Sequence, residues 1–376
     1  LSTSDKPSVS TKAPPQDRKF PCKQCGAKLS FDPASRALSC PYCGFQEKIE
    51  PSAGAVEERD FETFLQKQAD DQATVDGRSS EVKCEACGAV VLLEDKIVTD
   101  RCPFCGTNLT NTPEAASSMI APESLLPFAI TQRQAVQAFN QWVAGRWFAP
   151  STLKQFANLG QLSGIYVPYW TYDSMTFTWY TGQRGDDYTV TETYTETNAQ
   201  GQTETKTRQV THTSWTSVSG EVDHFFDDVL ICASKSLPDD FVDQLTPWDL
   251  KSLEAFNAEF LSGFKTERYA VGLGEGFKKA EAIMDEEIRR LCRRDIGGDH
   301  QTLSTVNTQH VGVTFKHILL PVWLAVYRYH DKVYRILINA RTGEVVGSRP
   351  YSWAKITGLV AAIVLAIVTI ILLANH

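Results

Sequence analysis

The sequence predicts an α+β fold, and three observations predict it. A four-cysteine pattern occurs twice in the N-terminal third. A long central stretch mixes strict two-residue alternation with helical stripes, and an uncharged apolar run lies near the C-terminal end. The chain has 376 residues, room for two or three domains at about 100–200 residues each. Its 42% hydrophobic and 22% charged residues are the balance of a folded chain, not of a disordered one or a polytopic membrane protein. A net charge of −8 argues against coating nucleic acid, which takes a basic surface.

Residues 1–19 hold Ser, Thr, Pro, Lys and Asp with almost no large apolar side chain, so a disordered tail is expected there. The segment has no apolar core of the kind a secretory signal needs.

Cys22, Cys25, Cys40 and Cys43 then form C-x2-C-x14-C-x2-C, and Cys84, Cys87, Cys102 and Cys105 repeat it with the same spacings. The knuckles read CKQCG and CPYCG, then CEACG and CPFCG. In a C-x-x-C turn both thiolates point to one side, and the following glycine relieves the tight backbone. Two such turns joined by a hairpin close a sulfur tetrahedron around Zn2+, with Zn–S near ~2.3 Å. The spacers turn at Asp32–Ser35 and at Glu94–Lys96. Two disulfide pairs or an iron–sulfur site are the other chemistries open to this pattern, and a reducing cytosol disfavours the disulfides. With four protein ligands no position is left for water, so the two expected zinc ions are structural. The first ribbon, 20–49, has four basic and two acidic residues, and the second, 82–109, has three basic and four acidic. Neither supplies the basic cluster that phosphate neutralisation needs, so nucleic acid is an unfavoured partner.

The linker 50–81 carries Phe61, Phe64 and Leu65 at helical spacing, which fits a short helix packed on its own ribbon or one free for docking. A second linker, 110–124, leads to an α+β domain over 125–351. There a helix is expected over Thr131–Arg146, with Thr131 as N-cap and Val136, Phe139, Val143 and Trp147 as its stripe. Strands follow from GIYVPYWTYD onward. Between Asp187 and Thr216 alternation is strict: Thr189, Thr191, Thr193, Thr195 and Thr197 on one face, Tyr188, Val190, Glu192, Tyr194 and Glu196 on the other. A hairpin centred on Gln200 opposes Glu192 with Arg208, Tyr194 with Lys206 and Val190 with Val210, though it also opposes Glu196 with Glu204. Its polar surface predicts a projecting arm, either simply solvated or offering an edge to partner strands.

A helix is expected over Glu275–Arg294, its stripe Phe277, Ala280, Met284, Ile288 and Leu291, with Asp285–Arg289 and Glu286–Arg290 as supporting pairs. The preceding GLGEG, Gly272–Gly276, departs from a dinucleotide fingerprint in spacing and context. Three strands close the domain, turning at His330–Asp331 and at Ala340–Gly343. Ile356–Ala374 then runs 19 residues without a charge, about 28 Å of helix at 1.5 Å per residue, close to the ~30 Å hydrocarbon core. The predicted transmembrane helix is 355–374, in contact with lipid over 356–374. Arg341, Arg349 and Lys355 precede it and no Lys or Arg follows, which places the bulk, 1–355, in the cytoplasm under the inner membrane. Tyr351 and Trp353 suit interfacial anchors.

Signals of catalysis are few. There is no G-x-x-x-x-G-K-[ST], H-E-x-x-H or G-x-S-x-G, and no enzyme is expected. Cys232 and Cys292 read as small buried hydrophobes. His310 and His317, seven apart in a predicted strand, should face opposite sides as structural histidines. The pairs Asp227–Asp228 and Asp239–Asp240 read as solvated or capping.

The paired knuckles, together with LPFAIT, FNQWVAGRWFAP, GIYVPYWTYD, FFDDVLICASKSLP, RRDIGGD, TFKHILLPVWLAVYRY and INARTGEVVGSRPYSW, resemble the bacterial TFIIB-type zinc-ribbon membrane proteins over about residues 20–355. Members are often labelled after the replication-restart helicase primosomal protein N′, but the phosphate-binding loop of a helicase is missing here. The resemblance implies a membrane partner that recruits SPFH (flotillin-like) or phage-shock PspA-like proteins to the envelope. A membrane-anchored adaptor that acts in envelope stress is therefore the expected function, with a membrane-tethered nucleic-acid binder as the alternative.

Overall fold

The computed structural model describes residues 20–50, 56–70, 81–84, 86, 87, 89–92, 99–110, 120–148, 150, 162–197, 201–329 and 332–374. The tail 1–19, the second ribbon's turn at 94–96 and the His330–Asp331 turn lie outside them.

In chain order, β1 (Ser30–Asp32), β2 (Ala37–Ser39) and β3 (Gln46–Lys48) make a small antiparallel sheet. β4 (Arg59–Asp60) and α1 (Phe61–Asp70) follow, then the pairs β5 (Glu81–Lys83) with β6 (Val90–Leu92) and β7 (Thr99–Arg101) with β8 (Asn108–Thr110). The remainder runs β9 (Ser124–Leu125), α2 (Gln132–Ala144), β10 (Ser163–Thr197), β11 (Thr203–Cys232), α3 (Asp239–Gln244), β12 (Glu254–Ala255), β13 (Lys265–Thr266) and α4 (Leu273–Ile296). It ends with β14 (His300–Tyr329), β15 (Lys332–Asn339), β16 (Val345–Gly347) and α5 (Trp353–Ala374). One sheet organises the body. Its order is β11-β10-β14-β15-β16, each pair antiparallel, with β4, β9, β12 and β13 attached as short strands.

The long strands are two-sided at their base. β10 sends Tyr166 into a core shared with α2 and the first cysteine ribbon, while Ile165, Val167 and Tyr169 enter a core shared with α3 and the second ribbon. Period-two alternation thus places the two ribbons on opposite faces of one sheet. Further along, Trp170, Tyr172 and Tyr180 pack under α4 on the first of these faces. Beyond the base, β10, β11 and β14 continue as a three-stranded arm with α4 on one face only.

The hairpin has the register expected from its charges. Glu192 opposes Arg208, Tyr194 opposes Lys206 and Val190 opposes Val210. The unfavourable Glu196–Glu204 pairing is relieved diagonally, where Lys206 donates to Glu196 at 2.7 Å.

Three helices depart from expectation. α2 starts as predicted, with Thr131 in a capping box with Gln134, but it stops at Ala144 and Gly145 caps it. Trp147 therefore leaves the buried stripe, which is Ala135, Phe139 and Val143. α1 packs neither on its own ribbon nor free for docking. Phe61 is buried against Tyr172, Phe277 and Phe315 of the central body. In α4 the expected Asp285–Arg289 pair forms, but Arg290 pairs with Glu287 instead of Glu286. Gly276 is required by packing: a Cβ there would lie 2.4 Å from the buried Tyr172 hydroxyl.

Candidate metal centres and membrane helix

Three cysteine knuckles among the described residues are built the same way. In the first, Gly26 N–H donates to Cys22 O at 2.8 Å and Gly26 takes φ +73°. In its mate Gly44 N–H donates to Cys40 O at 3.0 Å with φ +75°. An L side chain is strained in this left-handed region, so the glycine that follows Cys25 and Cys43 is what lets the turn close. Gly106 repeats the geometry on Cys102.

The turns bring Cys22, Cys25, Cys40 and Cys43 into one group and Cys84, Cys87, Cys102 and Cys105 into another, all sulfurs of a group within 4.8 Å of one another. Cys22–Cys43 and Cys25–Cys40 are 3.5 Å apart, and Cys84–Cys105 and Cys87–Cys102 are 3.4 and 3.6 Å apart. A tetrahedron with metal–sulfur bonds of ~2.3 Å has edges of about 3.8 Å, between the short pair distances and the 4.8 Å that bounds each group, so small sulfur shifts reach metal-binding geometry. None of the eight is in a disulfide. Thiolate character is built in at two positions. The backbone N–H groups of Cys43 and Tyr42 hold Cys40 down at about 6, and Cys102, then other thiols and a backbone N–H, hold Cys87 at about 5. Their neighbours Cys43 and Cys102 rise in compensation, as adjacent thiols sharing a negative charge must. A divalent cation removes that conflict by taking all four as thiolates.

The ribbons are fastened to the body. Phe31 sits edge-on to Phe260 with centroids 5.2 Å apart, its N–H donates to Ser262 O at 2.9 Å, and Ser262 Oγ donates to Leu29 O at 2.6 Å. On the opposite face Arg335 Nε donates to Phe104 O at 2.7 Å, and Val91 bridges Glu267. The ribbons therefore pack directly on the body. Their apolar side chains complete the two basal cores.

The sequence reading missed a third charged cluster. Lys316 is buried in β14, its Nζ 2.7 Å from Asp228, 3.1 Å from Glu58 and 3.8 Å from Asp173. Asp228 is not the solvated or capping residue expected. It occupies a bulge with φ +53°, and its N–H donates to Asp173 at 2.5 Å. Asp173, Asp227 and Asp228 could together approach a cation, but the Lys316 ammonium already fills that role. Asp239 and Asp240 lie in the first turn of α3, where negative charge is favoured.

β14 has its own bulge at Gly312, φ +63°, level with the one at Asp228. One extra residue reverses the alternation. His310 opposes Thr176 and His317 opposes Trp170, so both histidines face α4 instead of opposite sides. His310 Nδ1 pairs with Ser174 at 3.1 Å and His317 Nδ1 with Ile120 O at 2.8 Å. Cys292 is buried in the α4 stripe, and burial pushes its thiol up and the Cys232 thiol up to about 12, which disfavours the thiolate at both.

α5 is the one helix among the described residues long and apolar enough to cross a membrane, and its span Trp353–Leu373 is unburied.

Comparison with known proteins adds one relative. Over 252 residues the chain is 26% identical to the uncharacterized protein YdjG of Bacillus subtilis (strain 168), covering 64% of this chain and 67% of that protein. No protein-family model and no solved structure matches.

Proposed function

We propose that this chain is a membrane-anchored adaptor: two zinc-tied ribbons brace a β-sheet body, α5 holds it at the inner face of the cell membrane, and the arm docks a cytosolic protein. The supporting observation is the arm's uncovered face. Opposite α4, Phe177, Trp179, Phe225 and Val311 stand side by side across β10, β11 and β14, with Phe225 56% and Trp179 45% exposed. Asp223 and Glu221 border them on β11. Apolar sheet faces of this kind mark interaction sites. Because the ribbons are packed against the body, docking falls to the arm. The partner class, SPFH-like or PspA-like, comes from the family resemblance, and zinc from the closed four-thiolate geometry.

A fluorescently tagged SPFH-like or PspA-like protein of the same cell should collect at the membrane when the full chain is present. It should disperse when the chain ends at residue 355 or carries Trp179→Ser with Phe225→Ser. Equal membrane signal in all three strains would remove the adaptor reading.

A further inference from the structure

The root of α5 carries more than the aromatic residues next to it in sequence. The loop after α2 is fastened there: Ser352 N–H donates to Phe148 O at 2.8 Å, and Lys355 Nζ donates to Trp147 O at 3.1 Å. This contact joins positions some two hundred residues apart, and Trp147 is 72% exposed. Trp147 stacks on Phe148 at 12°, and Trp353, 76% exposed, and Tyr351 stand nearby in sequence at the helix start. Tryptophan and tyrosine rings with an apolar body and a polar edge settle at the headgroup level of a bilayer.

Cations accompany the rings. The Arg146 guanidinium lies 3.9 Å over the Trp142 ring and donates to Trp142 O at 2.9 Å. Arg349 lies 5.5 Å from the Tyr351 ring. No carboxylate among the described residues forms an ion pair with either arginine. Burial first, then the Arg349 charge, pulls Arg146 below its usual value, so the two like charges act on each other. A soluble surface would disperse or neutralise such a pair. Here both are held by aromatic rings and backbone at the base of the apolar helix.

We propose that Arg146, Arg349 and Lys355, framed by Trp147 and Trp353, bind the phosphate of an anionic phospholipid headgroup. This rests on α5 lying in the bilayer. It adds that the body is docked flat on a negatively charged leaflet by a second chain segment, and does not merely hang from the helix. Each cation close to an anionic surface contributes about fivefold to binding, the equivalent of about 1 kcal/mol.

The test uses the detergent-solubilised full chain and native mass spectrometry, counting phosphatidylglycerol against phosphatidylcholine retained from an equimolar mixture. The parent should prefer phosphatidylglycerol, and Arg146→Gln with Arg349→Gln should reduce that preference by roughly ten- to thirtyfold. Arg146→Lys with Arg349→Lys should keep most of it, which separates loss of charge from loss of fold. Inorganic phosphate in excess should leave the retained lipid in place. Equal retention of both lipids by the parent, an unchanged preference in the glutamine variant, or displacement by free phosphate would overturn the proposal. Extraction of the parent from membranes by alkali would instead remove the bilayer reading on which it rests.

Discussion

At the scale of single residues, burial and charge pairing compete in two places that can be read by titration. Glu123 is 2.8 Å from Arg59 and accepts from His317 N–H at 2.6 Å, yet burial pushes its carboxyl up to about 7. A carboxyl raised above its ordinary 4.5 favours the protonated folded state, so its contribution is complete below about 4.5 and is lost as pH rises through about 7. The stability of the parent relative to Glu123→Gln should therefore fall by roughly 3 kcal/mol between pH 4.5 and 8. Denaturant unfolding of the full chain in detergent measures it, and a difference that stays flat contradicts the assignment. The second place is Lys316. Replacing it with Met leaves Asp173, Asp228 and Glu58 facing one another without a cation, at a cost of about 3–5 kcal/mol near neutral pH. Burial has already raised Asp173 to about 6, so the penalty should shrink on acidification as the carboxyls take up protons. A pH-independent penalty would mean that lost packing, not uncompensated charge, is what the variant reports.

At the scale of elements, the parts legible in the sequence are those whose signal is local. The hairpin register follows from the opposite charges it pairs, while Gln200, on which it is centred, lies outside the described residues. The start of α2 follows from Thr131, whose hydroxyl accepts Gln134 N–H. Thr131→Ala should cost about 1 kcal/mol and Thr131→Ser very little, measured by thermal unfolding; equal losses would show that the cap is not what the threonine contributes. The illegible parts depend on contacts distant in sequence. Gly312 sits in a run that reads as uninterrupted strand, and only pairing with β10 reveals the extra residue that turns His310 toward α4. Likewise Leu29, Phe31 and Phe104 read as the interior of self-contained ribbons. A ribbon is too small to bury them alone, and the sheet supplies the missing surface. Asp228 was obscured for the same reason, since nothing near it in sequence announces a buried lysine almost ninety positions later. The cysteine groups themselves were fully legible, because the spacing of a C-x-x-C pair is itself the geometry.

At the scale of the whole molecule, the two cysteine groups clamp opposite faces of one sheet whose arm is bare on one side and whose last strand leads within a few residues into α5. Metal binding and body stability are then a single property. Thiolates left without a cation would loosen Cys22 and Cys40 from the core around Phe260 and Leu261, and Cys84, Cys102 and Cys105 from the core around Leu126 and Ile165. Because the sheet lies between them, the centres should be lost one at a time. The most direct measurement is elemental analysis of the purified full chain beside Cys40→Ser and Cys102→Ser. The account predicts two zinc ions per chain in the parent and one in each variant, with unfolding at lower temperature in both. A parent free of zinc, or holding iron in its place, would contradict it.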